Sequence, residues 1–357
     1  MCTTPRHQCA IVADVNQRAA RTVNPASVKL QPLTVKKARR EIQRRGLGRV
    51  PNLGPLVASS WDGHVVTGGP APTDSLTFLV RLYSAAPSSS GAAVVAAAVG
   101  RAGLEMGYPR AAVRLPLGDE PRALKDAGWR HLQDDVDGAW WGVERDQKRG
   151  AYRIVPLGQK AANDWINDKH EHHSPSTGSF FSIGVEGVAD GKLHCVAQVG
   201  VMRSRQLMRI SGGRGAEILR VASDKTPHVA SLSIGACART LQALGYDRIV
   251  SYTILGEKGT SYRGAGWWPT IIGKGGEWSR EARTRKKAAQ PARKVRWETG
   301  SGSPRLGKDE EQALLREIAD AVGKTEIPSR LKPNPPTSVT RPRGLVRRQL
   351  SLPGMIR

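Results

Sequence analysis

Ala230-Ser-Leu-Ser-Ile-Gly-Ala-Cys-Ala-Arg-Thr-Leu-Gln-Ala-Leu-Gly-Tyr-Asp-Arg-Ile-Val-Ser-Tyr-Thr253, continued by Ser261-Tyr-Arg-Gly-Ala-Gly-Trp267, decides the fold. Apolar and small residues recur through Leu244 at helical spacing, and Ala230, Gly235, Ala236 and Ala238 let a helix lie close on a sheet. Gly245 stops the helix, because glycine takes the left-handed cap conformation without steric cost. Arg248–Thr253 is then a strand. The same pattern occurs twice. Shifted by 138 residues, Ala92–Trp129 lies on Ala230–Trp267 without a gap, with 11 of 38 positions identical, among them Gly107/Gly245, Tyr108/Tyr246, Arg110/Arg248 and Trp129/Trp267. Two further blocks keep the order. Lys29-Leu-Gln-Pro-Leu33 matches Arg153-Ile-Val-Pro-Leu157, and Phe78-Leu-Val-Arg-Leu-Tyr-Ser84 matches Glu217-Ile-Leu-Arg-Val-Ala-Ser223. Such self-similarity is the signature of a duplicated domain, and the differing shifts place a loop insertion in the second copy.

Working outward, the second copy reads as a strand at 152–155, a helix from Gln159 to about Lys169, and a hairpin of 180–185 with 193–199 turning at Asp190-Gly191. An apolar strand at 216–222 precedes the long helix, and a short helix at 257–264 follows the 248–253 strand. The order β-α-β-β-β-α-β-α-β gives an α/β fold, present in tandem. The expected organisation is a flexible N-terminus over 1–27, repeats over 28–147 and 150–298, and a tail over 299–357 that begins with a helix at 308–322.

The chain of 357 residues carries 55 Lys and Arg against 31 Asp and Glu, a formal charge of +24. That excess predicts attraction to polyanions, nucleic acid above all, but says nothing of fold. It is concentrated in three places. Lys29–Arg49 includes Lys36, Lys37, Arg39, Arg40, Arg44 and Arg45, and Arg280–Arg296 includes Arg283, Arg285, Lys286 and Lys287. The third, Glu326–Arg357, is basic and proline-rich and reads as a disordered tail. The longest apolar run, Ala92–Val99, is far short of a membrane span, and the first twelve residues lack the apolar core of a secretory signal. Cys2, Cys9, Cys195 and Cys237 form no CxxC pair, which points to a reducing, cytoplasmic compartment and no structural zinc.

In the second copy, Ala161-Ala-Asn-Asp-Trp-Ile166 with His170-Glu-His-His-Ser-Pro175, Phe181-Ser-Ile-Gly-Val185, Leu219-Arg-Val-Ala-Ser-Asp224 and Gly259-Thr-Ser-Tyr-Arg-Gly-Ala-Gly-Trp267 carry a resemblance. With the element order, they resemble the GNAT acyltransferase fold. Within it they are similar to a phage- and prophage-encoded group related to the Mom DNA-modification protein of phage Mu. Gly275-Gly-Glu-Trp278 and Arg296-Trp-Glu298 look like that group's closing segment. The resemblance covers about 152–298. It implies an acyl-CoA-dependent N-acyltransferase, acetyl-CoA or a related acyl-CoA as cofactor, DNA as partner with adenine's exocyclic amine as acceptor, and a bacterial host cytoplasm.

Such a domain needs free N–H groups at a helix start for the cofactor's pyrophosphate. The strand end and loop containing Val221, Ser223, Thr226, His228, Val229, Ala230, Ser231 and Leu232 stand there, without the glycines of the usual superfamily signature. Acyl transfer also needs an oxyanion donor, a proton source and a base. The resemblance places Tyr262 near the thioester sulfur, makes the pair His172 and His173 a base or substrate contact, and matches Arg220 and Ser231 to an arginine and a serine of the Mom-like pattern. Each residue has a plainer reading: a helix-start hydroxyl for Ser231, a packed ring for Tyr262, an ion-pair partner for Arg220, solvated imidazoles for the histidines. An Asp of the Mom-like pattern is missing, with Glu257 the nearest acid. The first copy has no histidine at the matching place and reads as catalytically degenerate. Trp140-Trp141 and Trp267-Trp268 read as core rather than as base-stacking surfaces. Acetylation of a protein or small molecule, and nucleic-acid binding without catalysis, stand beside the DNA-modification reading.

Overall fold

A computed structural model describes residues 29–48, 56–72, 74–85, 90–117, 121–145, 150–170, 174–176, 178–274 and 292–324. The expected flexible N-terminus and basic tail lie outside these, as do Arg283, Arg285, Lys286, Lys287, His172 and His173. The chain divides into two compact units. The first contains β1 (Gln31–Leu33), α1 (Val35–Arg44), β2 (Val57–Trp61), β3 (His64–Pro70), β4 (Thr77–Tyr83), α2 (Ser90–Glu105), β5 (Arg110–Leu115), α3 (Arg122–Asp126), β6 (Arg130–Asp135) and β7 (Gly138–Glu144). The second contains β8 (Tyr152–Leu157), α4 (Gln159–Lys169), β9 (Ser179–Gly187), β10 (Leu193–Val201), α5 (Arg205–Ile210), β11 (Gly215–Ser223), α6 (Val229–Ala243), β12 (Arg248–Ile254), α7 (Thr260–Gly264), β13 (Trp268–Gly273), β14 (Lys294–Thr299) and α8 (Lys308–Ala321).

Each unit holds one seven-stranded mixed sheet, ordered β1-β2-β3-β4-β5-β7-β6 in the first and β8-β9-β10-β11-β12-β14-β13 in the second. The matching orders, with one parallel pair in each (β4 with β5, β11 with β12), make the duplication visible in space. The fold is α/β, in tandem. Each copy ends in one strand more than the sequence pattern supplies. In the second copy that strand, β14, slips between β12 and β13. Part of the insertion in the second copy is α5, capped by Ser204, whose hydroxyl accepts the Leu207 N–H at 3.3 Å. The helix expected at 257–264 starts only at Thr260, because Gly259 is left-handed (φ 62°) and the Glu257 carboxylate accepts the Ile254 N–H at 2.7 Å.

The long helices pack as their small residues require. Ile234, Ala236, Cys237 and Leu241 of α6 are buried, and α6 lies on β10 and β11. Gly245 (φ 92°) ends it, while the Tyr246 N–H reaches back to Leu241 O at 3.0 Å. On the opposite face Ala162 and Ile166 of α4 pack with Val196 and Ala222, and Leu207 of α5 packs with Met202 and Val250. The helix expected at 308–322 packs against β13 and buries Ile318. No helix among the described residues is long and apolar enough to cross a membrane.

Candidate functional site

In the second unit β11 and β12 pair in parallel only over Gly215–Glu217 with Arg248–Val250. Beyond that the two strands run on unpaired with each other to Ser223 and Ile254 and form a mouth in the sheet. A side-chain chain bridges its base. The Ser251 hydroxyl donates to Ile218 O at 3.0 Å, and the Tyr262 hydroxyl sits 2.7 Å from Ser251 Oγ. Since Ser251 gives its proton to the carbonyl, Tyr262 is the donor to Ser251. The Tyr262 ring stacks on Trp297 (11° between planes) and meets Trp267 edge-on. Burial pushes its hydroxyl well above the ordinary tyrosine range. Leu124 occupies the matching place in the first unit and is fully buried, so both copies use this position as core.

The loop after β11 brings the start of α6 to the mouth. His228 is the residue before the helix and is left-handed (φ 66°), as is Lys225 (φ 73°). The first N–H groups of α6, on Val229, Ala230 and Ser231, precede the first intrahelical bond, in which the Leu232 N–H donates to His228 O at 3.0 Å. The Ser231 hydroxyl faces α7, where a Cβ added at Gly264 would lie 2.9 Å from Ser231 Oγ. Ser223 accepts from the Lys225 N–H at 3.4 Å, while Val221 is half-buried on β11. The loop is tied to the β9–β10 turn. His194 Nδ1 bonds Asp224 at 2.8 Å, its Nε2 lies 3.4 Å from Asp190, and Asp224 accepts the Thr226 N–H at 3.0 Å. The Asp224 bond, reinforced by both carboxylate charges, raises the His194 pKa against an opposing desolvation.

On the α4–α5 face of the mouth stands a group that no motif announced. Glu217 faces Gly200 and Arg220 faces Gln198, so both project to one side of the sheet. A β-bulge at Leu219 makes this so, because two residues of β11, Ile218 and Leu219, stand against Val199 alone. Desolvation raises the Glu217 pKa to about 6, partly offset by the Arg203 N–H it accepts at 2.8 Å and by the charges of Arg203, Arg220 and Lys294. Arg220 donates to Ser174 O at 2.8 Å and to Leu219 O. Desolvation, then Arg203, lowers its pKa to about 10. Arg203 donates to Ser176 Oγ at 2.7 Å, and Gln198 accepts the Ser176 N–H at 2.9 Å. Lys294, across the mouth on β14, is also lowered, by desolvation and then by Arg220. Tyr252, on the same face of β12, is pushed to about 12 by burial.

The structure therefore gathers Arg220, Tyr262, Ser231 and the α6 start around one mouth, on its two faces. Glu257 caps its own strand end. Trp141, Trp267 and Trp268 are buried, and Trp140 is half-buried with Arg114 over its ring. In the first unit Lys36, Lys37 and Arg40 of α1 are exposed, Arg39 is half-buried, and Arg44 and Arg45 bind Glu41 at 2.7 and 2.6 Å. Glu217 escaped the sequence reading, although a lone acid between apolar strand residues was its signal. The β3–β4 and β10–β11 registers place Leu79 where the second unit has Glu217, and Arg81 where it has Arg220.

No family model matches the chain, and no curated protein matches it. Solved structures similar to it include a Bacillus subtilis acetyltransferase in complex with CoA (14% identity, 42% of this chain and 98% of that one, TM-score 0.29). Others are an N-acetyltransferase from Staphylococcus aureus Mu50 (11%, 43% and 99%, TM-score 0.32) and a ribosomal-protein-S5-alanine acetyltransferase from Vibrio fischeri (8%, 44% and 98%, TM-score 0.32).

Proposed function

We propose that the second unit is a GNAT-type N-acyltransferase domain that takes an acyl-CoA at the β11–β12 mouth and transfers the acyl group to an amine. The observation that carries this is the parting of β11 and β12 beside the start of α6. Unpaired strand edges and free helix N–H groups there fit a thioester arm and a pyrophosphate, respectively. In the transfer, the amine nitrogen attacks the acyl carbon, the C–S bond breaks, and CoA leaves as a thiolate that takes a proton from water. Glu217 accepts the proton that the amine loses. A carboxyl with a pKa of about 6 is mostly ionised at neutral pH and still basic enough for the task.

Tyr262 serves as the brace of the mouth rather than as its acid, since its proton is committed to Ser251. The Mom-like resemblance supports a nucleobase amine in DNA as the acceptor, which in a duplex requires base flipping. The exposed cations of α1 support the same partner. A second reading, nucleic-acid binding without transfer, suits the first unit, which keeps Arg81 but has Leu79 in place of the base. Calorimetric titration of the full chain with acetyl-CoA tests the donor site. Saturable binding at micromolar concentration is expected, and no binding at millimolar concentration overturns the reading.

A further inference from the structure

The mouth carries more positive charge than its own chemistry uses. Arg220 shares a face of the sheet with Glu217, the Arg203 N–H donates to the Glu217 carboxylate at 2.8 Å, and the charges of Arg203, Arg220 and Lys294 all act on it. Arg220 spends two of its five N–H donors on the carbonyl oxygens of Ser174 and Leu219, and among the described residues neither it nor Lys294 forms an ion pair with a carboxylate. Glu257, whose charge also acts on Lys294, accepts the Ile254 N–H. Holding three cations together in a partly desolvated place is costly unless an anion joins them. Glu217 sets one negative charge against three cations, and that charge is lost when the carboxylate takes up the amine's proton. The arrangement is also framed rather than loose. Ser174 O fixes Arg220, Ser176 fixes Arg203, and Gln198, itself held by Asn163 at 2.8 Å, fixes Ser176. Guanidinium forks and an ammonium are the donors that suit a phosphate.

We propose that Arg203, Arg220 and Lys294 seat a phosphate group of the acyl acceptor, so that the amine carried by the same molecule is delivered to Glu217. This rests on the acyl-transfer reading and narrows the substrate to phosphate-bearing amines, whether free small molecules or units of a nucleic-acid strand. The bulge at Leu219 is the device that places seat and base on one face. The first unit lacks the bulge and the base yet keeps Arg81, whose Nη1 is buried without a hydrogen-bond partner.

O-phosphoethanolamine and ethanolamine present one amine with and without a phosphate. Binding of each, and of inorganic phosphate, to the full chain is measured by calorimetry with and without CoA. Phosphoethanolamine and phosphate are expected to bind and to displace each other, CoA is expected to leave them bound, and ethanolamine is expected to bind at least tenfold more weakly. Arg220→Gln and Lys294→Gln are each expected to weaken phosphate about tenfold. If Arg220→Gln does not fold, Lys294→Gln, at a half-exposed position, carries the test. A single-stranded oligonucleotide weakened by the same substitutions identifies the strand as the source, and an oligonucleotide unaffected while phosphoethanolamine is weakened identifies a free molecule. Ethanolamine binding as tightly as phosphoethanolamine, or wild-type phosphate affinity in both Gln variants, overturns the proposal. Because these readouts need no turnover, a chain that binds phosphoethanolamine but no acetyl-CoA sinks the acyl-transfer reading alone.

Discussion

At the scale of single residues, Tyr262 stands out in the sequence and Glu217 has no role there, whereas in the proposed mechanism Glu217 is the base and Tyr262 a brace. Glu217 sits inside a strand, and with strict alternation it would point away from Arg220. Only the bulge at Leu219 turns the two together, and no periodicity reveals a bulge. Glu217→Gln is expected to lower the acyl-transfer rate about a hundredfold or more while leaving acetyl-CoA affinity in place. In the wild type kcat/KM should rise with pH through about 6, since the ionised carboxylate is the active form and burial has moved its pKa up to there. A profile flat from pH 5 to 8, or unchanged in the variant, would count against the base. Tyr262→Phe removes the donor to Ser251 and is expected to cost about 1 kcal/mol of stability in denaturant melts. From the sequence the tyrosine is a catalytic candidate or a packed ring, but its bond to Ser251 is not legible there, because the partner lies eleven residues back on another element.

At the scale of elements, the loop between β11 and α6 turns through left-handed Lys225 and His228, without glycines. His228 holds the left-handed turn that opens the helix, which a residue with a Cβ takes up only at some cost. His228→Gly is therefore expected to raise stability by about 0.5–1 kcal/mol, read as a shift in denaturant midpoint. The loop is also clamped by His194 between Asp190 and Asp224. The folded-state pKa of His194 is raised, first by its bond to Asp224. Its stabilisation is therefore complete below the ordinary histidine value of about 6.5 and is lost as pH climbs through the raised value. The melting-temperature advantage of the wild type over His194→Gln should shrink from pH 6 to pH 9, and an advantage independent of pH would exclude the clamp. Most elements were legible because small residues, glycine stops and alternation fix them locally. The start of α7 and the extra strand β14 were not. A left-handed glycine under an indole delays the one, and strand insertion between β12 and β13 is a tertiary choice that pairing, not propensity, makes.

At the scale of the whole molecule, the internal repeat was the most readable feature, and the identical strand orders of the two sheets are its physical counterpart. What diverged is chemistry. One copy carries Glu217 and the bulge, and the other carries Leu79 and an unbroken ladder. The charge excess is sharpened too. Arg44 and Arg45 share one carboxylate, Glu41, so the exposed α1 cations outside that cluster are Lys36, Lys37 and Arg40. If α1 meets DNA phosphates, replacing those three with Gln should lower the slope of log affinity against log salt by about 0.9 for each phosphate no longer neutralised. An unchanged slope would remove α1 from the interface. The central claim, acyl transfer to a nucleobase amine by the second unit, meets its most direct test in plasmid DNA recovered from a host expressing the protein. That DNA is digested to nucleosides and weighed by mass spectrometry. An acylated nucleoside present with the wild type and absent with Glu217→Gln is the predicted result, and unmodified DNA in both would contradict it.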